Sequence, residues 1–297
     1  MLRNWNVIVF ISTILFFSCN TAKEELPNTP TTGEIHIIAE NTFQYILPPQ
    51  IDLFTSIYKN TKVSYSFKGE QECIQSLLND SCKVILINRS LSSDEIKVFE
   101  KNNIIIQQTP IAYTAIALIG KKFREKGLLI DDLKRYLEGN DSIKFVFYKK
   151  NNGAILYMKD SLLNGKSFGK NCFIVEDSAE FKNYCIEKDF IGIIDYSFIC
   201  DNDDKWTYQL KFPKNDTLLI PIRRTATTPA FYPDQSNIAT KDYPFVRTIY
   251  CIRRGDNFSL SAGIEAFLAG EKGQILFKKM GLVPVFERER KIEMRPY

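Results

Sequence analysis

Apolar and polar positions along this chain change period repeatedly, from the two-residue repeat of a strand to the three-and-four repeat of a helix and back. Gly33–Ala39, Val63–Phe67 and the fully apolar Val84–Ile87 predict strands. Between them, Ile51, Phe54, Ile57 and Tyr58 share one helical face, as do Cys73, Ile74, Leu77 and Leu78. Ser92 and Glu95 have the spacing of a capping box and open a helix through Ile96 and Phe99. Ile104–Ile106 and Ile111–Ile119 are expected as further strands. A second series follows, with a helix over Gly127–Glu138, a short buried strand through Ile143, Phe145, Val146 and Phe147, and then a helix carrying Ile155, Met158, Leu162 and Leu163. Phe173–Val175, a helix over Ala179–Cys185, and Phe190–Ile194 continue the pattern, and Leu218–Ile222 and Phe245–Ile252 read as strands. A helix through Ile264, Phe267 and Leu268 leads to another over Lys272–Met280, which Gly281 and Leu282 cap and Pro284 ends. Lys291–Tyr297 is expected as a closing strand or tail. Regular alternation of strand and helix predicts an α/β chain built on a parallel or mostly parallel open sheet with helices on both faces.

Composition narrows this picture. With 297 residues, 44% of them hydrophobic, the chain can bury a large core and is expected to divide into two lobes. A net charge of +4 spread along the sequence gives no basic stripe, so nucleic acid is not an expected partner.

The first residues stand apart. Arg3 precedes an apolar run, Val7–Phe17, that is too short for a membrane span and has the length of a signal-peptide core. It ends at Ser18-Cys19, which resembles a bacterial lipoprotein signal. That resemblance implies a signal peptide over 1–18, lipidation of Cys19, and export to the outer side of a bacterial membrane. The polar, proline-containing stretch that follows predicts a flexible tether over 19–32.

Six further cysteines (Cys73, Cys82, Cys172, Cys185, Cys200 and Cys251) form no CxxC pair, so no zinc or thioredoxin-type motif is present, and both disulfides and buried thiols stay open. The single histidine, His36, rules out a Ser-His-Asp or Cys-His site built without it and any metal site made of several histidines. Asp201–Asp204 lacks the glycine and glutamate of a calcium loop. Nothing marks a catalytic residue or a cofactor.

The candidate chemistry lies at strand ends. In open α/β sheets ligands bind beyond the carboxyl ends of strands, where loops lead into helices whose first amides are unpaired. Asn41-Thr42, Lys68-Gly69-Glu70, Asn88-Arg89 and Asn151-Asn152-Gly153 occupy such places. Each offers hydrogen bonds to an anion, Arg89 with a two-pronged fork, and Lys149 and Lys150 add charge beside the last. The same residues also suit ordinary loops with solvated lysines.

The order of these segments, with Tyr157–Leu162, Ile191–Ile194, Tyr243-Pro244, Arg247, Tyr250, and Gly273-Gln274 through Pro284, resembles the type II periplasmic-binding-protein fold over roughly Gly33 to Met294. Within that fold it is similar to the phosphate-binding lipoproteins of ABC importers. The resemblance implies a two-lobed clamshell of mixed sheets flanked by helices, with two crossing hinge strands, Ile111–Ile119 and Phe245–Ile252. Lobe 1 would comprise 33–115 and 246–297, and lobe 2 would comprise 116–245. It implies a monomer that is not an enzyme, takes phosphate or a related small anion between its lobes and passes it to an ABC permease. The ligand would be held by Asn41, Thr42, Phe43, Gly69 and Glu70 of the first lobe and by Lys149 or Lys150 with Asn152, Gly153 and Ala154 of the second.

Two positions depart from the family pattern. Asn152-Gly153-Ala154 lacks the two hydroxyl donors of a Ser-Gly-Thr-like turn, and Asn88-Arg89 stands where the phosphate binders place an aspartate that accepts the proton of hydrogen phosphate. These departures leave an alternative, a degenerate clamshell acting as a surface interaction or sensing lipoprotein.

Overall fold

The structure, a computed structural model, describes residues 27–150, 152–201 and 218–286. The leader, Cys19, the first part of the tether, Asn151, most of the acidic turn and Lys291–Tyr297 lie outside the described residues.

The strands are β1 (Gly33–Glu40), β2 (Thr61–Lys68), β3 (Val84–Ile87), β4 (Ile106–Ile119), β5 (Leu128–Leu129), β6 (Phe145–Tyr148), β7 (Cys172–Val175), β8 (Ile191–Asp195), β9 (Ile222–Arg223), β10 (Val246–Arg254) and β11 (Val283–Pro284). The helices are α1 (Leu47–Ile57), α2 (Glu70–Leu78), α3 (Ser93–Lys101), α4 (Ile130–Leu137), α5 (Gly153–Tyr157), α6 (Ser178–Ile186), α7 (Gln235–Ala239), α8 (Leu260–Ala269) and α9 (Glu271–Lys279).

The main sheet runs β2-β1-β3-β10-β4-β8-β6-β7, with β11 added to β4. β1 is parallel to β2 and β3, and β6 is parallel to β7 and β8. β10 and β4 are antiparallel to their neighbours, so the sheet is mixed. β4 joins the two parallel halves: it pairs with β10 up to Ala115 and with β8 from Ile116. Ile104–Ile106 and Ile111–Ile119 are therefore not separate strands. One strand absorbs Pro110 by a register shift opposite Ile249 and Tyr250, which carries the chain past a residue that cannot donate to the ladder.

Alternation decides what each strand face buries. Ile37, Ala39, Val84 and Leu86 point into the main core with Phe54 of α1 and Leu268 of α8. Ile38, Ile85 and Ile87, one residue out of phase, meet Cys73, Ile74 and Leu77 of α2 and Phe99 of α3. Each Val, Leu, Ile or Phe among them contributes about 1.5–3 kcal/mol of burial, and together these side chains fix the register that places the strand ends.

The helix expected over Gly127–Glu138 starts at Ile130, because Leu128 and Leu129 are taken into pairing with β9. The helix expected through Leu163 is only five residues of α-helix, followed by a π-helical turn over Met158–Leu162. His36 is structural: its ring nitrogens lie 2.9 Å from Ser64 and 2.9 Å from Ser66 on the neighbouring strand. Cys73, Cys82, Cys185, Cys200 and Cys251 are buried in the core. None of the described helices is long and apolar enough to cross a membrane.

Candidate functional site

Parallel strands β1, β3, β6 and β8 end toward one seam between the two halves of the sheet: β1, β3 and β8 deliver Glu40, Asn88 and Asp195 to it, and β6 leads to the backbone amide of Gly153. β1 ends in Glu40, whose side chain is fully buried. Its Oε1 accepts the Gly153 amide at 2.7 Å, the first residue of α5, and its Oε2 accepts the Asn88 side chain at 3.0 Å. The Asn88 amide also donates to Thr42 Oγ1 at 2.9 Å, so both bonds use its nitrogen. That leaves Asn88 Oδ1 buried with no hydrogen-bond partner.

β8 ends in Asp195, also fully buried, which accepts from Thr114 and from the Ser197 amide. The Arg247 guanidinium, entering from β10 with a side chain 3% exposed, donates to Asp195 Oδ2 at 3.3 Å and lies 3.7 Å from Glu70 Oε2. Glu70 is the first residue of α2, where a carboxylate also meets the positive end of the helix dipole. Three buried carboxylates, Glu40, Glu70 and Asp195, thus face one buried guanidinium. Burial pushes the Glu40 carboxyl up to about 7, against the attraction of Arg247 and with help from Glu70 and Asp195. Burial likewise raises Asp195 above the usual carboxylate range, with Arg247 opposing.

Alongside this cluster opens a cavity of about 590 Å³, with Glu70, Asn88, Arg89, Gly153, Tyr157 and Arg247 on its wall. Of the residues expected to form a site, Glu70, Asn88, Arg89 and Gly153 border this hollow, whereas Asn41, Thr42, Phe43, Lys68, Gly69, Lys149, Asn152 and Ala154 lie off its wall. Many of their donors, however, are already spent within the protein. Arg89 does not face a solute with a free fork: its Nη1 and Nη2 hold Glu95 at 2.7 and 2.8 Å, and its Nε holds Glu70 at 2.7 Å. The Glu95 hydrogen bonds push Arg89 further up, and burial of Glu95 is outweighed by Arg89, which holds that carboxyl below its ordinary value.

The Gly69 amide donates to Glu72 in a capping arrangement, and Lys68 Nζ donates to Ser76. Phe43 is a core side chain 1% exposed. Asn41 opens the short 3₁₀ turn above it. Thr42 is buried, and its carbonyl accepts from Ser197 Oγ at 2.8 Å across the seam. Lys149 donates to Gln44 at 2.8 Å and is lowered by burial, and the Lys150 amide donates to Glu176. The Ala154 amide is taken by Asn152 Oδ1, which caps α5. Among the described residues no cluster of His, Cys, Asp and Glu suits a metal ion.

Glu40 and Asp195 were not among the residues singled out in the sequence, and Arg247 entered only among those that carry the resemblance of fold, not as a site residue. Their signal was present as a single charge closing or interrupting an apolar strand, Ile37–Glu40, Ile191–Asp195 and Phe245–Ile252.

Gly153 is where these groups meet. A Cβ there would lie 2.5 Å from Glu40 Oε1 and 2.5 Å from an Arg247 nitrogen. Gly153→Ala is expected to force α5 away from β1 and lower stability by about 1–3 kcal/mol, read as a drop in the urea midpoint at unchanged m-value.

A family profile for a PBP superfamily domain matches residues 26–269. The phosphate-binding protein PstS of Borreliella burgdorferi is 24% identical over 188 residues, 59% of this chain and 61% of that protein's length. Among solved structures, an ABC-type phosphate transport receptor from Vibrio cholerae superposes with a TM-score of 0.65 at 15% identity, covering 85% of this chain and 100% of that one. PstS from Borrelia burgdorferi superposes with a TM-score of 0.56 at 20% identity, covering 84% and 98%. At these identities the likeness to solved structures is one of fold.

Proposed function

The chain belongs to the PBP superfamily, and we propose that it is an extracytoplasmic solute-binding protein of an ABC importer that takes phosphate or a related small oxyanion. The observation that carries this reading is a convergence of donors. The α5 amide of Gly153 and the Asn88 side chain donate to one oxyanion group, the Glu40 carboxylate, and the Arg247 guanidinium stands close enough to attract it. Donors that hold a carboxylate with two oxygens suit a solute of the same chemistry.

In this reading 33–115 with 246–297 form one lobe and 116–245 the other, and β4 and β10 act as the hinge about which the lobes close on the solute. No covalent step is involved. Asn88 borders the cavity and its buried Oδ1 has no partner; a ligand that still carries a proton would satisfy it, which favours hydrogen phosphate over sulfate. A leader over 1–18, a lipid on Cys19 and the tether over 19–32 would hold the protein, as a monomer, at the membrane beside its permease. The relatives named above are described as phosphate-binding or phosphate-transport proteins, which agrees with this assignment.

Isothermal titration of the purified protein with inorganic phosphate and with sulfate tests it. A saturable heat with phosphate and a weaker one with sulfate are expected, and silence toward both overturns the transport reading. The excess of carboxylates in the seam favours a second reading, a surface interaction or sensing protein that carries no anion. Silence toward both anions from a folded protein supports that one.

A further inference from the structure

The Glu40 carboxylate sits on the donors that an incoming oxyanion needs. It takes the Gly153 amide at 2.7 Å and the Asn88 side chain at 3.0 Å. Glu40 Oε1 and an Arg247 nitrogen both lie 2.5 Å from the position of a Gly153 Cβ, so carboxylate, guanidinium and helix start share one small volume. An oxyanion that takes the Gly153 amide must therefore take the place that Glu40 Oε1 now holds. Charge points the same way: an anion added without displacing Glu40 would join three buried carboxylates around one guanidinium. The same donor residues Asn88, Gly153 and Arg247 border the cavity, so a solute arriving from it reaches them as Glu40 leaves.

We infer that Glu40 is a tethered competitor of the solute: its carboxylate and a bound oxyanion exclude one another at the Gly153 amide, and Glu40 thereby sets the affinity of the cleft. The inference rests on the oxyanion reading above. It assigns to the last residue of β1 a regulatory role that no backbone donor at this site has. Binding is weakened by the fraction of time the carboxylate occupies the donors, so a seam filled nine-tenths of the time costs about tenfold in apparent affinity.

The test compares wild type, Glu40→Ala and Glu40→Gln by titration with inorganic phosphate at about pH 8, where Glu40 is mainly ionised. Glu40→Ala is expected to bind about tenfold tighter or better than wild type, with Glu40→Gln between them. The glutamine variant carries the comparison if the alanine variant does not fold. Equal affinities across the three overturn the inference and leave the phosphate reading standing. Absence of binding in all three overturns the phosphate reading. The Gly153 amide proton gives a readout that needs no phosphate. Its resonance is expected to move upfield in both variants as the carboxylate is lost, and to move back when phosphate is added to Glu40→Ala. An amide shift unchanged by either substitution overturns Glu40 as its occupant whatever the titration shows.

Discussion

Arg247→Leu is expected to cost about 3–5 kcal/mol of stability near pH 8, because it removes one partner from a buried charge cluster and leaves the others uncompensated. The guanidinium stands between Asp195 Oδ2 at 3.3 Å and Glu70 Oε2 at 3.7 Å, and it is the main attraction opposing the burial of Glu40. Leucine supplies apolar volume but no charge, so three carboxylates would face one another with only the shared Arg89 nearby. Protonation relieves such repulsion, and the loss should therefore shrink as the pH is lowered. The double variant Arg247→Leu/Glu40→Gln should recover part of it, because one of the stranded charges is gone. Urea unfolding of the single and double variants measures both. An unchanged midpoint in Arg247→Leu means that the cluster carries no net stabilisation and that its charges are solvated.

This cluster explains how much of the molecule could be read from its sequence. Strands such as Val84–Ile87 and Ile191–Ile194 are buried on both faces and announce themselves as unbroken apolar runs. The places where strands give way to loops followed from the same runs, and the structure does bring Thr42, Asn88 and Gly153 together. Strand direction left no trace, since period two is the same in both directions, and β4 and β10 run antiparallel where a mostly parallel sheet was expected. The spacing of Ile155, Met158, Leu162 and Leu163 fits a short α-helix with a π turn as well as it fits one long helix.

The site was legible as a place and not as a state. Arg89 looked like an anion fork because six residues separate it from Glu95 and nineteen from Glu70, and no local rule pairs them. Glu40 reaches Gly153 across 113 residues of chain. Only the meeting of the two sheet halves shows that the donors have an internal occupant. A charge that ends an apolar strand is the feature that carried this information: Glu40 and Asp195 both sit in the last position of a strand, where the backbone turns into the seam.

Between about pH 4.5 and about pH 7 the wild-type protein is expected to lose about 3 kcal/mol of stability. In the folded chain burial raises the Glu40 carboxyl from 4.5 to about 7, so the folded state holds its proton over a range in which the unfolded chain has released it. The sign follows. Stabilisation by that proton is complete below the unfolded value and vanishes as the pH passes the folded one. Asp195, raised by burial, contributes in the same direction. Groups with the opposite sign, Glu95 and Asp80, are held below their ordinary values, so their contribution is lost at lower pH, outside this window. The charged and titratable groups facing Glu40 are Arg247 from β10, Glu70 and Cys73 from α2, and Asp195 from β8, and burial pushes the Cys73 thiol up so that it stays neutral throughout. Glu40→Gln removes the titrating group and should flatten most of the slope while leaving the folded secondary structure unchanged. Urea midpoints at four or so pH values for wild type and variant decide the matter: a wild-type stability that is level or rises across the window, or a slope retained in Glu40→Gln, means that the seam is not closed by a protonating Glu40.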